Sequence, residues 1–391
     1  MTSNRWGHID SMRGLAALGV VYFHIAECGI KFGLVNNSIE RALFYVFVDV
    51  LDLGKVAVVV FFAISGFVIP FSLLKAQNRP LTAFAISRFF RLYPAYWLSI
   101  ILAVIYLLVA TRFSSDAPQG IPRDLGVGAI LVNVTMLQQF VGVKNLLGVY
   151  WTLQIELIFY MLCAGLFALG LLARPRAALV ALLVCLSIAI SFALVRFGLG
   201  RKMPVALPLG LSVMFWGLVW RYRLTAKDAD GPGARRMSNW GTVALVVALP
   251  AISVFGYGDD WLRYILTYYV AMVLFVAMTT KFRVSHGIFV WLGLISYSVY
   301  LMGPVAQDIV LSLMGTEGLR AVPIHVTFIL IAALTVAMSA ASYYLVERPA
   351  QDIGRRLIAR LQSPRSEPER SPATIFPSTS PVPGRTMADP Q

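Results

Sequence analysis

Arg13 and His24 both fall inside the first long apolar stretch of this 391-residue chain. They lie 11 residues apart. At about 100° and 1.5 Å per helical residue, that spacing returns them to one face, roughly 20° and 16 Å apart. An ionisable residue at membrane depth costs energy without a packing return, so it is a functional candidate by default. A histidine there can act as a general base or acyl carrier. An arginine can hold phosphate or stabilise a developing oxyanion. The structural alternative is a snorkelling arginine anchor and a hydrogen-bonded histidine with no chemistry.

Other residues invite the same question. Arg88 and Arg91, in Arg88-Phe89-Phe90-Arg91 just before Tyr93-Pro94, stand one helical turn apart, and paired guanidinium forks suit phosphate oxygens. They can equally be positive anchors beside an aromatic belt. Glu156 sits in a long apolar run that reaches Tyr160. A carboxylate there should face the bundle interior, to orient an imidazole, move a proton or pair with a buried arginine. Asp308 raises the same question more weakly. Ser65-Gly66-Phe67 interrupts the second apolar stretch, and on its own reads first as a helix-packing device. Ser296-Tyr297-Ser298-Val299-Tyr300 puts hydroxyls inside a late span, where they can line a cavity. Glu347-Arg348-Pro349 reads as a helix stop with a local charge pair.

The elements that must position these residues follow from composition. Of the residues, 58% are hydrophobic and 13% charged, well below the quarter typical of soluble domains. The net charge of +14 first suggests nucleic acid. The bases are spread between apolar stretches rather than clustered on a soluble domain, so no nucleic-acid partner is expected. Three scattered cysteines, Cys28, Cys163 and Cys185, give neither a disulfide framework nor paired metal-ligand spacing. No metal is expected.

Ten stretches approach the roughly 20 apolar residues that a span requires, near 12–29, 56–74, 94–111, 149–172, 177–195, 204–220, 240–257, 262–280, 288–313 and 324–346. Shorter apolar runs near 42–51 and 125–140 suit interfacial or re-entrant pieces. The first stretch lacks a clear small-residue cleavage site and is expected to be retained. With the N-terminus inside, about two-thirds of the 33 Lys and Arg fall on the cytoplasmic side, as the positive-inside rule requires. The loop with Arg196, Arg201 and Lys202 runs against that trend. The expected fold is all-α, a polytopic transmembrane bundle of about ten spans with both termini cytoplasmic. Residues 1–350 form the membrane domain and 351–391 a cytoplasmic tail. After about residue 362 the tail is rich in Pro, Ser and Thr and is expected to be disordered. Nothing in the sequence sets an oligomeric state.

Taken together and in order, these pieces resemble the acyltransferase type 3 family of bacterial integral membrane proteins. The resemblance runs from Ile9-Asp10-Ser11-Met12-Arg13-Gly14 to Phe23-His24, then through Phe61-Phe62-Ala63-Ile64-Ser65-Gly66-Phe67 and Arg88-Phe89-Phe90-Arg91-Leu92-Tyr93-Pro94. Tyr150-Trp151-Thr152-Leu153 with Glu156 and Tyr160, Ser296-Tyr297-Ser298-Val299-Tyr300-Leu301 and Glu347-Arg348-Pro349 complete it. It spans about residues 7–350. It implies transfer of an acyl group, acetyl foremost, from cytoplasmic acyl-CoA to a hydroxyl of a sugar or glycosylated acceptor. The setting it implies is the lipid bilayer of the bacterial inner membrane. The family's shared first-helix Arg and His correspond to Arg13 and His24, and its Arg-x-x-Arg to Arg88 and Arg91. One departure stands out: many members place a histidine in the late span where this chain has Gly303. The expectation is that His24 suffices.

On this reading His24 is general base or acyl carrier, supported by Glu156. Arg88 and Arg91, with Ser65 nearby, bind the acyl-CoA donor (acetyl-CoA foremost), and Arg13 assists donor binding or the thioester oxygen. Two other classes fit ten spans with buried charges: a secondary transporter or flippase, and a non-catalytic partner in surface polysaccharide assembly. No internal repeat of the kind common in transporters is evident.

Overall fold

A computed structural model of the chain describes residues 7–31, 33, 35, 38–75, 78–113, 126–226 and 231–362. The tail expected to be disordered after residue 362 lies outside them. Among the described residues there is no strand. The helices are α1 (Gly7–Lys31), α2 (Ser38–Phe44), α3 (Leu53–Leu74), α4 (Pro80–Phe113), α5 (Val127–Val134), α6 (Tyr150–Ala168), α7 (Pro175–Leu199), α8 (Ala206–Thr225), α9 (Gly231–Tyr257), α10 (Trp261–Thr280), α11 (Gly287–Ala321), α12 (Ile324–Ser342) and α13 (Arg348–Gln362).

Ten of these have 19 residues or more, and they coincide with the ten apolar stretches of the sequence. Among the described residues eight stretches are long and apolar enough to cross a membrane, one of them holding both α9 and α10. α8 is not among them. It carries Arg221 and Arg223 near its end, and every residue from Pro208 to Tyr222 is buried by neighbouring helices. A helix wrapped in protein does not need a lipid-facing apolar surface. The outer helices do show one: Val247, Val273, Leu313 and Ile329 are each at least 60% exposed. The two shorter apolar runs become the α2 segment, which continues as a π-helical turn at Tyr45–Val50, and α5 with a 3-10 turn at Gln138–Val141.

α3 is the central helix, packed against α1, α6, α8 and α10. Its first turn is set by Asp52, in the left-handed region at φ 44°, whose carboxylate accepts from the Lys55 backbone N–H. Lys55 Nζ (2.6 Å) and Arg263 of α10 (3.0 Å) pair with the same carboxylate. α1 lies between α3 and α11.

Glycines set two of these contacts. A Cβ on Gly66 would overlap the backbone carbonyl of Met214 in α8, and one on Gly293 would overlap that of Asp10 in α1. Only a residue without a side chain lets the backbones approach so closely. Each glycine neighbours the chemistry: Gly66 follows Ser65, and Gly14, which faces Gly293 across the same contact, follows Arg13.

The chain does not stop at Glu347-Arg348-Pro349. α12 passes through a π-helical turn at Tyr343–Glu347 directly into α13. The Arg348 N–H donates to the carbonyl of Tyr343, five residues back. The wider turn shifts the hydrogen-bond register before Pro349, which then stands at the start of a new helix, where its missing N–H costs nothing.

Candidate active site

A cavity opens between α1, α3, α4, α6 and α11. Its wall on α3 is Val58, Phe61, Phe62, Ser65 and Ile69, the i, i+3, i+4, i+7, i+11 stripe of one helix face. α4 presents Arg88, Arg91 and Leu92, α6 presents Thr152, Leu153, Glu156 and Tyr160, and α11 presents Ser296, Tyr297 and Tyr300. α1 contributes Arg13. Five of the six site residues expected from sequence therefore meet in one cavity: Arg13, Ser65, Arg88, Arg91 and Glu156.

The polar groups are individually held. The Glu156 carboxylate accepts from Tyr160 Oη at 2.6 Å, one turn along α6, and from Ser65 Oγ of α3 at 3.4 Å. Arg91 Nη1 donates to Glu347 Oε1 at 3.2 Å. Glu347 is fully buried, and also accepts from Ser298 (2.9 Å) and Gln351 (3.0 Å). The expected local pair with Arg348 is thus replaced by one reaching across 256 positions to α4. Burying a carboxylate is costly unless it is paired and hydrogen-bonded, and here it is both.

Arg88 is held differently. Its Nη2 donates to Ser72 Oγ at 2.9 Å, and the guanidinium lies over the rings of Phe84 and Tyr160 at 5.3 and 5.5 Å. Its Nε is buried with no hydrogen-bond partner among the described residues. Arg13 has a long pair with Asp10, 3.8 Å away on the preceding turn. Three arginines and one carboxylate line the cavity, and the carboxylate that compensates Arg91 lies behind the wall. Arg88, with neither a carboxylate partner nor a bond to its buried Nε among the described residues, is the lining arginine most open to an anionic ligand.

The end of the cavity away from Ile69 is apolar and aromatic. Phe61 stands edge-on to Tyr300, and Phe62 edge-on to Trp151. The hydroxyls of Tyr300 and Thr152 are 2.7 Å apart, and Tyr300 also donates to the Val149 carbonyl at 3.0 Å. Tyr297 Oη donates to the Leu92 carbonyl, tying α11 to α4.

His24 is not in the lining. Its side chain is 38% exposed, with Nδ1 3.7 Å from Glu27 Oε2 and its ring edge-on to Phe23. Phe23 lies against Gly54, in the first turn of α3. The innermost cavity residue on α3 is Val58, about one turn, or 6 Å, from that level. His24 thus stands beyond the apolar end of the cavity, at the opposite end of α1 from Arg13. Asp308 is buried on α11 and does not line the cavity. A Cβ at Gly303 would meet only Val21 of α1 and Thr335 of α12 at ordinary contact distances. No group of three or more potential metal ligands occurs among the described residues. The three cysteines are buried and free.

Sequence reasoning missed Glu347 as a site residue. The signal was present, a carboxylate closing a strongly apolar run, but its partner was distant in sequence. Of the aromatic end wall, Tyr300 belongs to the late hydroxyl stretch expected to line a cavity, whereas Phe61 and Phe62 carry no chemical signal of their own because they look like any apolar helix residues.

A family model described as an acyltransferase domain matches residues 6–343 of the 391. No curated protein and no solved structure matches the chain.

Proposed function

The chain belongs to the acyltransferase type 3 family, and on that premise we propose that it moves an acyl group, acetyl foremost, from acyl-CoA to a hydroxyl of a sugar or glycosylated acceptor. The observation that carries this reading is the convergence of Arg13, Arg88 and Arg91 with Glu156 in one cavity. A polyphosphate donor offers oxygens to the guanidinium N–H groups that the neighbouring carboxylates leave free. Arg88 is the best placed of the three, since it has no carboxylate partner and keeps a buried donor unused. Arg91 is oriented by Glu347.

In this proposal the donor's phosphates lie at the arginine end, and its thioester runs toward Tyr300 and Phe61. The acceptor approaches from the side of His24. The imidazole takes the proton of the acceptor hydroxyl, whose oxygen bonds to the acyl carbon. The carbon–sulfur bond breaks, and the CoA thiolate leaves and is protonated. Glu156, fixed by Tyr160 and Ser65, moves or balances a proton on the donor side. Arg13 assists the donor or the thioester oxygen as charge develops.

The protein is proposed to lie in the bacterial inner membrane with its arginine end toward the cytoplasm, a placement supported by the Lys and Arg distribution. The test uses isolated membranes, labelled acetyl-CoA and a His24→Ala variant. Label should enter glycans or glycosylated metabolites with the native chain and not with the variant. Equal transfer by both would overturn the assignment of His24, and no transfer by the native chain would overturn the reaction.

A further inference from the structure

α13 carries four arginines, Arg348, Arg355, Arg356 and Arg360, against one acid, Asp352. The helix has three distinct sides. One packs on α4 and the turn before it: Gly354 sits against the Phe90 side chain, and Gln362 Nε2 donates to the Asn78 carbonyl just ahead of α4. A second is apolar and uncovered, with Ile353 55% and Leu357 39% exposed, continued across the π-helical turn by Leu345 at 75%. The third is the arginine side. An apolar strip between a packed face and a basic face is the arrangement of a helix lying in a membrane interface.

Where the π-helical turn meets α13 there is a groove lined by Tyr344, Arg348, Pro349, Asp352, Ile353 and Arg356. Asp352, the carboxylate that lines this groove, is engaged by Arg355, so Arg348 and Arg356 face it as two guanidiniums against one acid already held by a third arginine. Trp291 of α11 donates to the Tyr344 hydroxyl at 3.1 Å, so a Trp–Tyr pair of the kind that favours the headgroup level borders the groove.

We propose that this groove binds the phosphate of an anionic phospholipid, with the lipid's chains along Leu345, Ile353 and Leu357. Two guanidiniums match the headgroup charge, and the uncovered apolar strip matches the chains. The groove is also one residue from the site. Glu347, which holds Arg91, immediately precedes Arg348. Seating α13 on an anionic lipid therefore holds the π-helical turn and the Arg91–Glu347 pair in place. This does not depend on the proposed reaction.

The test reconstitutes the full chain in nanodiscs of phosphatidylcholine alone and of phosphatidylcholine with phosphatidylglycerol. Lipid retained after extraction is counted by native mass spectrometry, and the melting temperature is measured in both. Native protein should retain phosphatidylglycerol selectively and melt a few degrees higher in its presence. An R348Q/R356Q double variant should lose both effects. An R235Q/R236Q variant, which removes two exposed charges from α9, should keep them. Equal retention by R348Q/R356Q and the native chain would overturn the site. Equal loss in both double variants would also overturn it, by showing diffuse attraction to net charge. Inorganic phosphate reproducing the melting shift would show that the lipid is not the ligand.

Discussion

Arg91 of α4 and Glu347 at the end of the π-helical turn are 256 residues apart in sequence and 3.2 Å apart in space. The pair joins the cavity wall to the C-terminal helix, and the carboxylate is fully buried. Removing one partner strands the other charge, which typically costs about 3–5 kcal/mol, whereas replacing both with apolar residues of similar volume is often close to neutral. Glu347→Ala should therefore lower the stability of the purified protein sharply, and Arg91→Met with Glu347→Leu should recover most of the loss. A double-mutant cycle in thermal or denaturant unfolding measures the coupling. Additive losses would mean that the pair has no energetic role.

Arg88 calls for the opposite outcome. Its guanidinium rests on a serine hydroxyl and two aromatic faces, so truncation leaves no buried carboxylate behind. Arg88→Ala should leave stability nearly unchanged and raise KM for acetyl-CoA about 10- to 100-fold, the equivalent of losing one or two charge-assisted hydrogen bonds. Arg88→Lys should recover only part of this, because an ammonium cannot reproduce the planar fork. Steady-state kinetics on the two variants decides it, and an unchanged KM in Arg88→Ala would remove Arg88 from the donor site.

The contrast between these arginines marks how far the sequence could be read. Apolar runs located all ten long helices, because lipid imposes a length and composition that local sequence records. Helical spacing showed that Arg88 and Arg91 share a face, and the structure keeps both on the cavity. It did not show that Glu347 compensates one of them, since that contact depends on how α4, α11 and α12 pack. The same spacing predicts one face for Arg13 and His24. Spacing gives direction around a helix, however, not the depth at which a cavity ends, and so only Arg13 lines it. Pro349 looked like a terminator because the π-helical turn that accommodates it has no sequence signature as plain as a proline.

Gly66 should be the least replaceable residue near the site. A methyl group there overlaps the Met214 carbonyl, which belongs to the backbone and cannot rotate away. Overpacking typically costs about 1–3 kcal/mol, and a backbone clash belongs at or above the upper end. Gly66→Ala should sharply reduce the yield of monodisperse protein in detergent. Ser65→Ala, one position earlier, removes only a 3.4 Å hydrogen bond to Glu156 and should purify normally. Similar yields for the two would contradict the close approach of α3 to α8.

Glu156 is fixed by two hydroxyls rather than by an arginine, which suits a group that exchanges a proton more than one that locks a fold. Glu156→Gln keeps the shape and removes that capacity. The expected result is a fall in kcat of about 100-fold or more, within the range for general acid–base groups, with KM for acetyl-CoA little changed. Tyr160→Phe removes the 2.6 Å partner but not the carboxylate, and should cost much less. A Glu156→Gln defect confined to KM would make the carboxylate a donor-binding group instead.

His24 gives the sharpest separation, because it and Arg13 stand at opposite ends of one helix and only Arg13 reaches the cavity. If donor binding belongs to the arginine end and acceptor activation to the histidine end, His24→Ala should bind acetyl-CoA within about 2-fold of the native protein while transfer falls by about 10²–10⁴. Binding is read from the thermal shift on adding acetyl-CoA, and transfer from the labelled product. Loss of binding together with transfer would mean that the donor extends past Phe61 and Val58 to the level of Phe23. Retention of both would move the base to Glu156, the other proton acceptor that this site offers.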